Sequence, residues 1–199
     1  MAKLDREAIT GEALVLLDEV GLDAVSTRAL AKRLGVEQPS LYWHFRSKTE
    51  LLTAMAEAAM APHAAAPLPG PSDGWREWFV ENSRSFRRTL LLHRDGARLH
   101  AGSSPRGEDL ARALRKVEFL VAAGLPLRDV QTAMLTASHF TVGAVMEEQA
   151  AASGDDSADE PEGMNFEESF NAGLWMIIDG LAQHAAVAQA NPARPREGP

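Results

Sequence analysis

Gln38, Pro39, Ser40, Tyr42 and His44 fall within seven consecutive residues, with Arg28 ten residues before Gln38 and Lys48 four after His44. These types suit double-stranded DNA. A glutamine amide can pair with adenine through two hydrogen bonds, and a proline ring offers apolar contact to a thymine methyl. Tyr42 and His44 can reach phosphates, and Arg28 suits either a guanine edge or a phosphate. Lys48 follows Ser47 in the first turn of an expected helix, where the helix dipole disfavours a cation. It either points into solvent or meets a phosphate that removes the conflict. The whole chain is acidic, at net charge −8, yet Ser26–Lys48 holds five basic residues against one acid, Glu37. Screening confines each charge to roughly 8–10 Å, so such a patch can act on its own.

A second group of polar residues lies further along. Asn82 and Phe86, four apart, put an amide beside an aromatic ring on one helix face. His100 ends the stretch "LLHRDGARLH", and "LTASHFTVGAVMEEQA" carries His139 and Glu147, eight apart. Two imidazoles and a carboxylate suit a hard or borderline divalent ion, held partly through water. A histidine on an apolar helix is more often a satisfied core residue, and pattern alone leaves both readings open.

Helices must position both groups. Ile9, Ala13, Leu16, Leu17 and Val20 form a helical stripe that stops at Gly21. A short second helix follows Ser26, with Ala29, Leu30 and Leu34 inward and Gly35 as its stop. "VEQPSLYWHF" restarts the helix with Pro39 in its first turn and with Leu41 and Phe45 facing back. Two short helices around a glycine, flanked by buried ones, form a helix-turn-helix. "SKTE" has capping-box spacing and opens a fourth helix through Met60. Prolines 62, 67, 69 and 71 then predict a break between an N-terminal DNA-binding domain, residues 1–61, and a C-terminal one, residues 62–199. Residues 75–92, 107–123, 127–150 and 166–188 read as helix, and no strand pattern occurs. Residues 151–165 read as a flexible acidic loop. The fold class expected is all-α.

The composition narrows the function classes. Without cysteine the chain has neither disulfides nor thiolate metal sites. No signal-peptide core or membrane-spanning run is present, so a cytoplasmic protein with no membrane partner is expected. The acidic total argues against sequence-independent coating of DNA. No nucleophile or glycine-rich phosphate loop accompanies His100, His139 and Glu147, so the chain does not read as an enzyme.

"TRALAKRLGVEQPSLYWHFRSKTELL" resembles the DNA-binding domain of the TetR family of transcriptional regulators. That resemblance implies operator contacts at Arg28, Gln38, Pro39, Ser40, Tyr42, His44 and Lys48, with serine where threonine is usual at position 40. "SFRRTLLLHRDGARLHAG" and "HFTVGAVMEEQ" are similar to the effector domain of the members that respond to tetracyclines. The similarity covers about residues 3–150 and resumes in "FNAGLWMIIDGL". It implies a homodimeric repressor, released from a palindromic operator by a tetracycline or related polyketide bound as a Mg2+ chelate, and controlling antibiotic resistance through efflux. His100 would hold the ion directly, with His139 and Glu147 acting through water, while Asn82 and Phe86 face the drug's ring system and Phe170, Leu174 and Ile177 reach the pocket of the partner copy. Three ligand-facing positions depart from the pattern: Ala64 and Ser104 replace a histidine and an arginine, and Lys116 replaces a glutamine. The segment before the last helix is also shorter and more acidic. The alternative is a TetR-type repressor with an unrelated, metal-independent effector. For the dimer, Phe170, Leu174, Ile177, Ile178 and Leu181 form one apolar side of the last helix, expected to build a four-helix interface together with the helix at 107–123 or at 127–150.

Overall fold

A computed structural model of the 199-residue chain describes residues 5–101, 103, 106–152 and 165–190. The chain is all-α: nine helices and a short 3-10 turn, Leu22–Ala24, occur among the described residues, and no strand. By its internal contacts it divides into two compact units.

The first unit comprises Met1–Ala66, Ser85–Ser104 and Val142–Ala158. Helix α1, Arg6–Val20, is capped by Asp5, whose carboxylate accepts the Ala8 N–H at 2.9 Å. It buries Ile9, Ala13 and Leu17 and ends at Gly21, whose φ of 77° favours glycine. Val20, expected in the same stripe, is exposed. Helix α2, Thr27–Leu34, starts at a Ser26 cap and stops at Gly35 in the left-handed conformation. Helix α3 spans only Gln38–Tyr42, shorter than the sequence predicts, so His44 and Phe45 lie beyond it. Phe45 still turns inward and joins Leu41, Leu30 and Met55 in the core.

Helix α4, Lys48–Ala64, opens at Ser47, whose hydroxyl accepts the Glu50 N–H at 3.1 Å. The Glu50 carboxylate reaches back to the N–H of Arg46. The sequence places a break from residue 61, but α4 runs through Pro62. A proline removes one hydrogen bond, and beyond it the Ala65 N–H still reaches the Ala61 carbonyl at 2.8 Å.

Helix α5, Trp75–Leu90, is followed by a helix that periodicity does not predict, α6, Gly96–His100. The chain turns sharply between them. A Cβ on Gly96 would stand 2.1 Å from the Leu90 carbonyl oxygen, so only glycine fits. Asp95, at φ 56°, completes the turn. Leu99 of α6 enters the core of the N-terminal bundle, and α6 packs on α4.

The second unit comprises Pro67–Arg84, Pro105–Thr141 and Asp159–Pro199. It holds the first part of α5, helix α7 at Gly107–Ala122, the first part of helix α8 at Leu127–Ala152, and helix α9 at Phe166–Ala190. Phe140 and Phe170 stack with ring centres 5.4 Å apart, and Gly173 admits the Phe140 ring, which any Cβ would meet at 2.5 Å. Phe170, Leu174, Ile178 and Leu181 are buried within their own chain, while Ile177 is half-buried. The side of α9 expected to meet a second copy is therefore consumed by the intrachain core. Of the acidic loop, residues 153–164 lie outside the described residues.

Candidate DNA interface and effector site

The seven DNA-facing residues expected from the sequence all fall in the first unit. Arg28 on α2, Pro39 and Tyr42 on α3 and Lys48 at the start of α4 are exposed, whereas Gln38, Ser40 and His44 are half-buried. The Gln38 amide donates from Nε2 to Thr27 Oγ1 at 3.0 Å, which ties the reading helix to α2. The same nitrogen makes a longer contact, 3.5 Å, to the Tyr42 hydroxyl, and the amide oxygen remains to accept from a base.

Arg6 braces the turn beyond α3. Its guanidinium donates to the His44 carbonyl, pairs with Glu50 at 2.9 Å and lies over the Phe45 ring at 4.2 Å. Hydrogen bonds from the Arg46 N–H and from Arg6 hold the Glu50 carboxyl below its ordinary pKa. Not every cation of the basic stretch serves this face. Arg33 turns toward α1 and pairs with Glu12 at 2.8 Å and Glu19 at 2.6 Å. Trp43, absent from the expected contact set, is 89% exposed. Its signal in the sequence was its position between Tyr42 and His44.

The effector-facing residues divide between the units. In the first, Phe86 is buried with its ring between two imidazoles, His100 at 5.1 Å and His63 at 5.4 Å. His63 Nδ1 lies 3.0 Å from Ser85 Oγ. The histidine missing at Ala64 thus has a neighbour that meets the same aromatic wall. His100 Nδ1 lies 3.1 Å from Ser103 Oγ, which leaves Nε2 to face a ligand. Burial lowers the His100 pKa below its ordinary 6.5, so the ring is a neutral donor at pH 7. An open cleft of about 200 Å³ is lined by Ala59, Met60, Leu90, Gly96 and His100, among others. The cleft is open to solvent and encloses no space large enough for a water molecule, so it is not itself a drug-sized cavity. Ser104 lies outside the described residues.

The second unit carries Asn82, Lys116 and Ile177, all half-buried, and His139, which is exposed. Burial, and then the Arg112 charge, pull the Lys116 pKa down to about 8 against the opposing effect of Asp109. Glu147 is exposed on the part of α8 that belongs to the first unit, while its neighbour Glu148 pairs with Arg87. Eight residues of helix separate His139 from Glu147 by roughly 12 Å along the axis, too far for both to bind one ion directly.

Among the described residues no group of three or more histidine and carboxylate side chains is placed to hold a metal ion. Taken by itself, His100 has an imidazole nitrogen of the kind that could join a magnesium which keeps waters and takes oxygens from a chelating ligand. The described donors do not fit a resident ion held by the protein alone.

The sequence matches "Bacterial regulatory proteins, tetR family" over residues 9–55 and "Tetracyclin repressor-like, C-terminal domain" over residues 66–162. It is 43% identical to the class A tetracycline repressor protein from transposon 1721 of Escherichia coli, an alignment covering 100% of this chain and 99% of that protein. The chain belongs to the TetR family. Among solved structures, a TetR-family transcriptional regulator from Streptomyces coelicolor shares 61% identity at a TM-score of 0.73, covering 92% of this chain and 98% of that one. Class A TetR, solved with 5a,6-anhydrotetracycline and magnesium, shares 43% identity at a TM-score of 0.79, covering 90% and 99%. This chain is thus a TetR-family transcriptional regulator with a tetracycline repressor among its relatives. No helix among its described residues is long and apolar enough to cross a membrane.

Proposed function

We propose that this TetR-family regulator is a homodimeric repressor that binds a palindromic operator and releases it when a tetracycline-like polyketide, chelated to magnesium, binds beside His100. The observation that carries the reading is the placement of His100. It closes α6, directly after a leucine buried in the core of the DNA-binding bundle, and its ring rests on Phe86. His100 would hold the magnesium, which would supply positive charge for the ligand's oxygens.

The remaining steps belong to the chain's own residues. His100 stays neutral and offers Nε2, with Ser103 at Nδ1 fixing the ring. The resemblance assigns water-mediated contact with the ion to His139 and Glu147, and contact with the ring system to Asn82, Phe86 and Ile177. A shift of α6 is felt by α4, on which it packs, and α4 begins at Lys48, six residues after α3 ends. In a two-fold dimer the two α3 helices occupy successive major grooves about 34 Å apart, so moving α4 spoils that spacing. Release requires that the effector bind the released state more tightly than the DNA-bound state.

A gel shift tests the reading, using an operator selected by the protein from random DNA. Anhydrotetracycline with magnesium is expected to release the operator, and a chelator of magnesium is expected to prevent release. His100→Ala should keep operator binding and lose release. Release that persists without magnesium would instead mark a metal-independent effector, and release by no tetracycline would sink the reading.

A further inference from the structure

Helix α3 is only five residues long, and the segment that follows it, Trp43–Ser47, is not helical. So short a helix does not hold itself. Two backbone groups of that segment are held by side chains from outside it. The guanidinium of Arg6, the first residue of α1, donates to the His44 carbonyl. The carboxylate of Glu50, in the first turn of α4, accepts the Arg46 N–H at 2.8 Å. The two side chains also pair with each other at 2.9 Å, and the guanidinium lies 4.2 Å from the centre of the buried Phe45 ring. Exposed ion pairs ordinarily add little to stability. This pair differs because both partners also grip the backbone of one turn, two residues apart.

We propose that Arg6 and Glu50 are positioning residues for operator reading: together they fix the turn between α3 and α4, so that His44 and Lys48 meet phosphates in register with the bases that α3 reads. The inference rests on the operator-binding reading above and adds to it two residues that need not touch DNA. A turn ordered in the free protein loses less freedom on binding. Arginine suits the task, because its planar fork serves a carbonyl and a carboxylate at once while its face lies on a ring, and an ammonium does not. Glu50 is the sharper case. It stands two residues from Lys48, on a surface meant for phosphates, where its charge alone repels DNA.

That opposition of signs supplies the test. The full-length protein is titrated with an operator that the wild type selects from random DNA, and with random-sequence duplex, at several salt concentrations. Glu50→Ala removes a negative charge, so charge alone would tighten binding to both DNAs. The positioning role requires the opposite on the operator, a loss of about tenfold, the scale of one charge-assisted hydrogen bond. Random duplex should be bound no less tightly. Arg6→Gln should weaken operator binding by a similar factor at an unchanged salt slope, and the double variant should be no weaker than the weaker single one, since both remove one device. Arg6→Lys keeps the charge and should not restore wild-type affinity. Helical circular dichroism checks each fold, and Glu50→Gln, whose amide forms no ion pair, carries the same sign of prediction if Glu50→Ala does not fold. Three results would overturn the proposal: operator binding by the Glu50 variants equal to or tighter than wild type, full affinity in Arg6→Lys, or a salt slope that falls by about one in Arg6→Gln, which marks a direct phosphate contact. A wild type that prefers no selected duplex sinks the operator reading as well. A preference that Glu50→Ala leaves intact sinks the positioning role alone.

Discussion

Gln38 has its amide fixed before any base arrives, because Thr27 Oγ1 accepts one of its hydrogens. A side chain so held loses little freedom on binding, which favours base reading over loose phosphate contact. Gln38→Ala is therefore expected to cost about 1–3 kcal/mol on the preferred operator and to relax the preference at one base pair. Lys48→Ala should act differently. It should weaken all operators alike and reduce the slope of log affinity against log salt by about one. Binding assays over an operator panel at several salt concentrations separate the two, and a uniform loss from Gln38→Ala would contradict the base-reading role. At this scale the sequence was legible wherever residue type and local spacing decide the outcome, as for exposed Arg28, Tyr42 and Lys48. It was not legible for Arg33, which counts toward the basic stretch but is turned away by Glu12 and Glu19 of α1. The pairing depends on the crossing of two helices, which no local pattern encodes.

Helix α6 shows the same limit among elements. Five residues long and without an apolar period, it is fixed by tertiary contacts. Asp18 accepts the Arg94 N–H at 3.0 Å and lies 3.0 Å from His93, Asp95 accepts the Leu22 N–H at 2.8 Å, and Arg98 reaches Asp23 at 2.9 Å. The helices of the N-terminal bundle were legible because their signals are local: serine caps at Ser26 and Ser47, a left-handed glycine at Gly35, and the apolar stripe of Ile9, Ala13 and Leu17 in α1. The α6 strap makes a pH prediction. Burial opposes ionisation of Asp95, but the Leu22 N–H, Arg98 and Arg94 together lower its pKa below the ordinary 3.8. A carboxyl lowered on folding adds stability above its unfolded pKa and loses it as pH falls through the folded value. Asp95→Asn should thus melt at a lower temperature than the wild type at pH 7, and the gap should close below about pH 4. Melting curves across that range check it, and a gap independent of pH would show that the charge of Asp95 is not what matters.

For the whole molecule the question is which surface a second copy covers. The apolar side of α9 gave no means of deciding from sequence, since an amphipathic stripe looks the same whether it packs on its own chain or on another. The structure assigns Phe170, Leu174, Ile178 and Leu181 to the intrachain core. Large apolar side chains elsewhere in the second unit remain exposed: Leu110 and Leu114 on α7, Leu135 on α8, and Trp175 and Met176 on α9. Soluble chains seldom leave several such groups uncovered unless something docks on them. These residues are the ones to test for the proposed dimer. Leu114 is 54% exposed and Met176 75% exposed, so charging them costs the isolated chain little. The double substitution Leu114→Glu, Met176→Glu is expected to keep its helical circular dichroism yet sediment as a monomer. Its melting temperature should no longer depend on protein concentration, as that of the wild-type dimer should. Operator affinity should fall steeply, because a lone α3 occupies one half-site and two half-sites no longer add within one complex. A variant that still sediments as a dimer would move the interface to another face, and a wild type that sediments as a monomer would remove the two-fold operator from the mechanism.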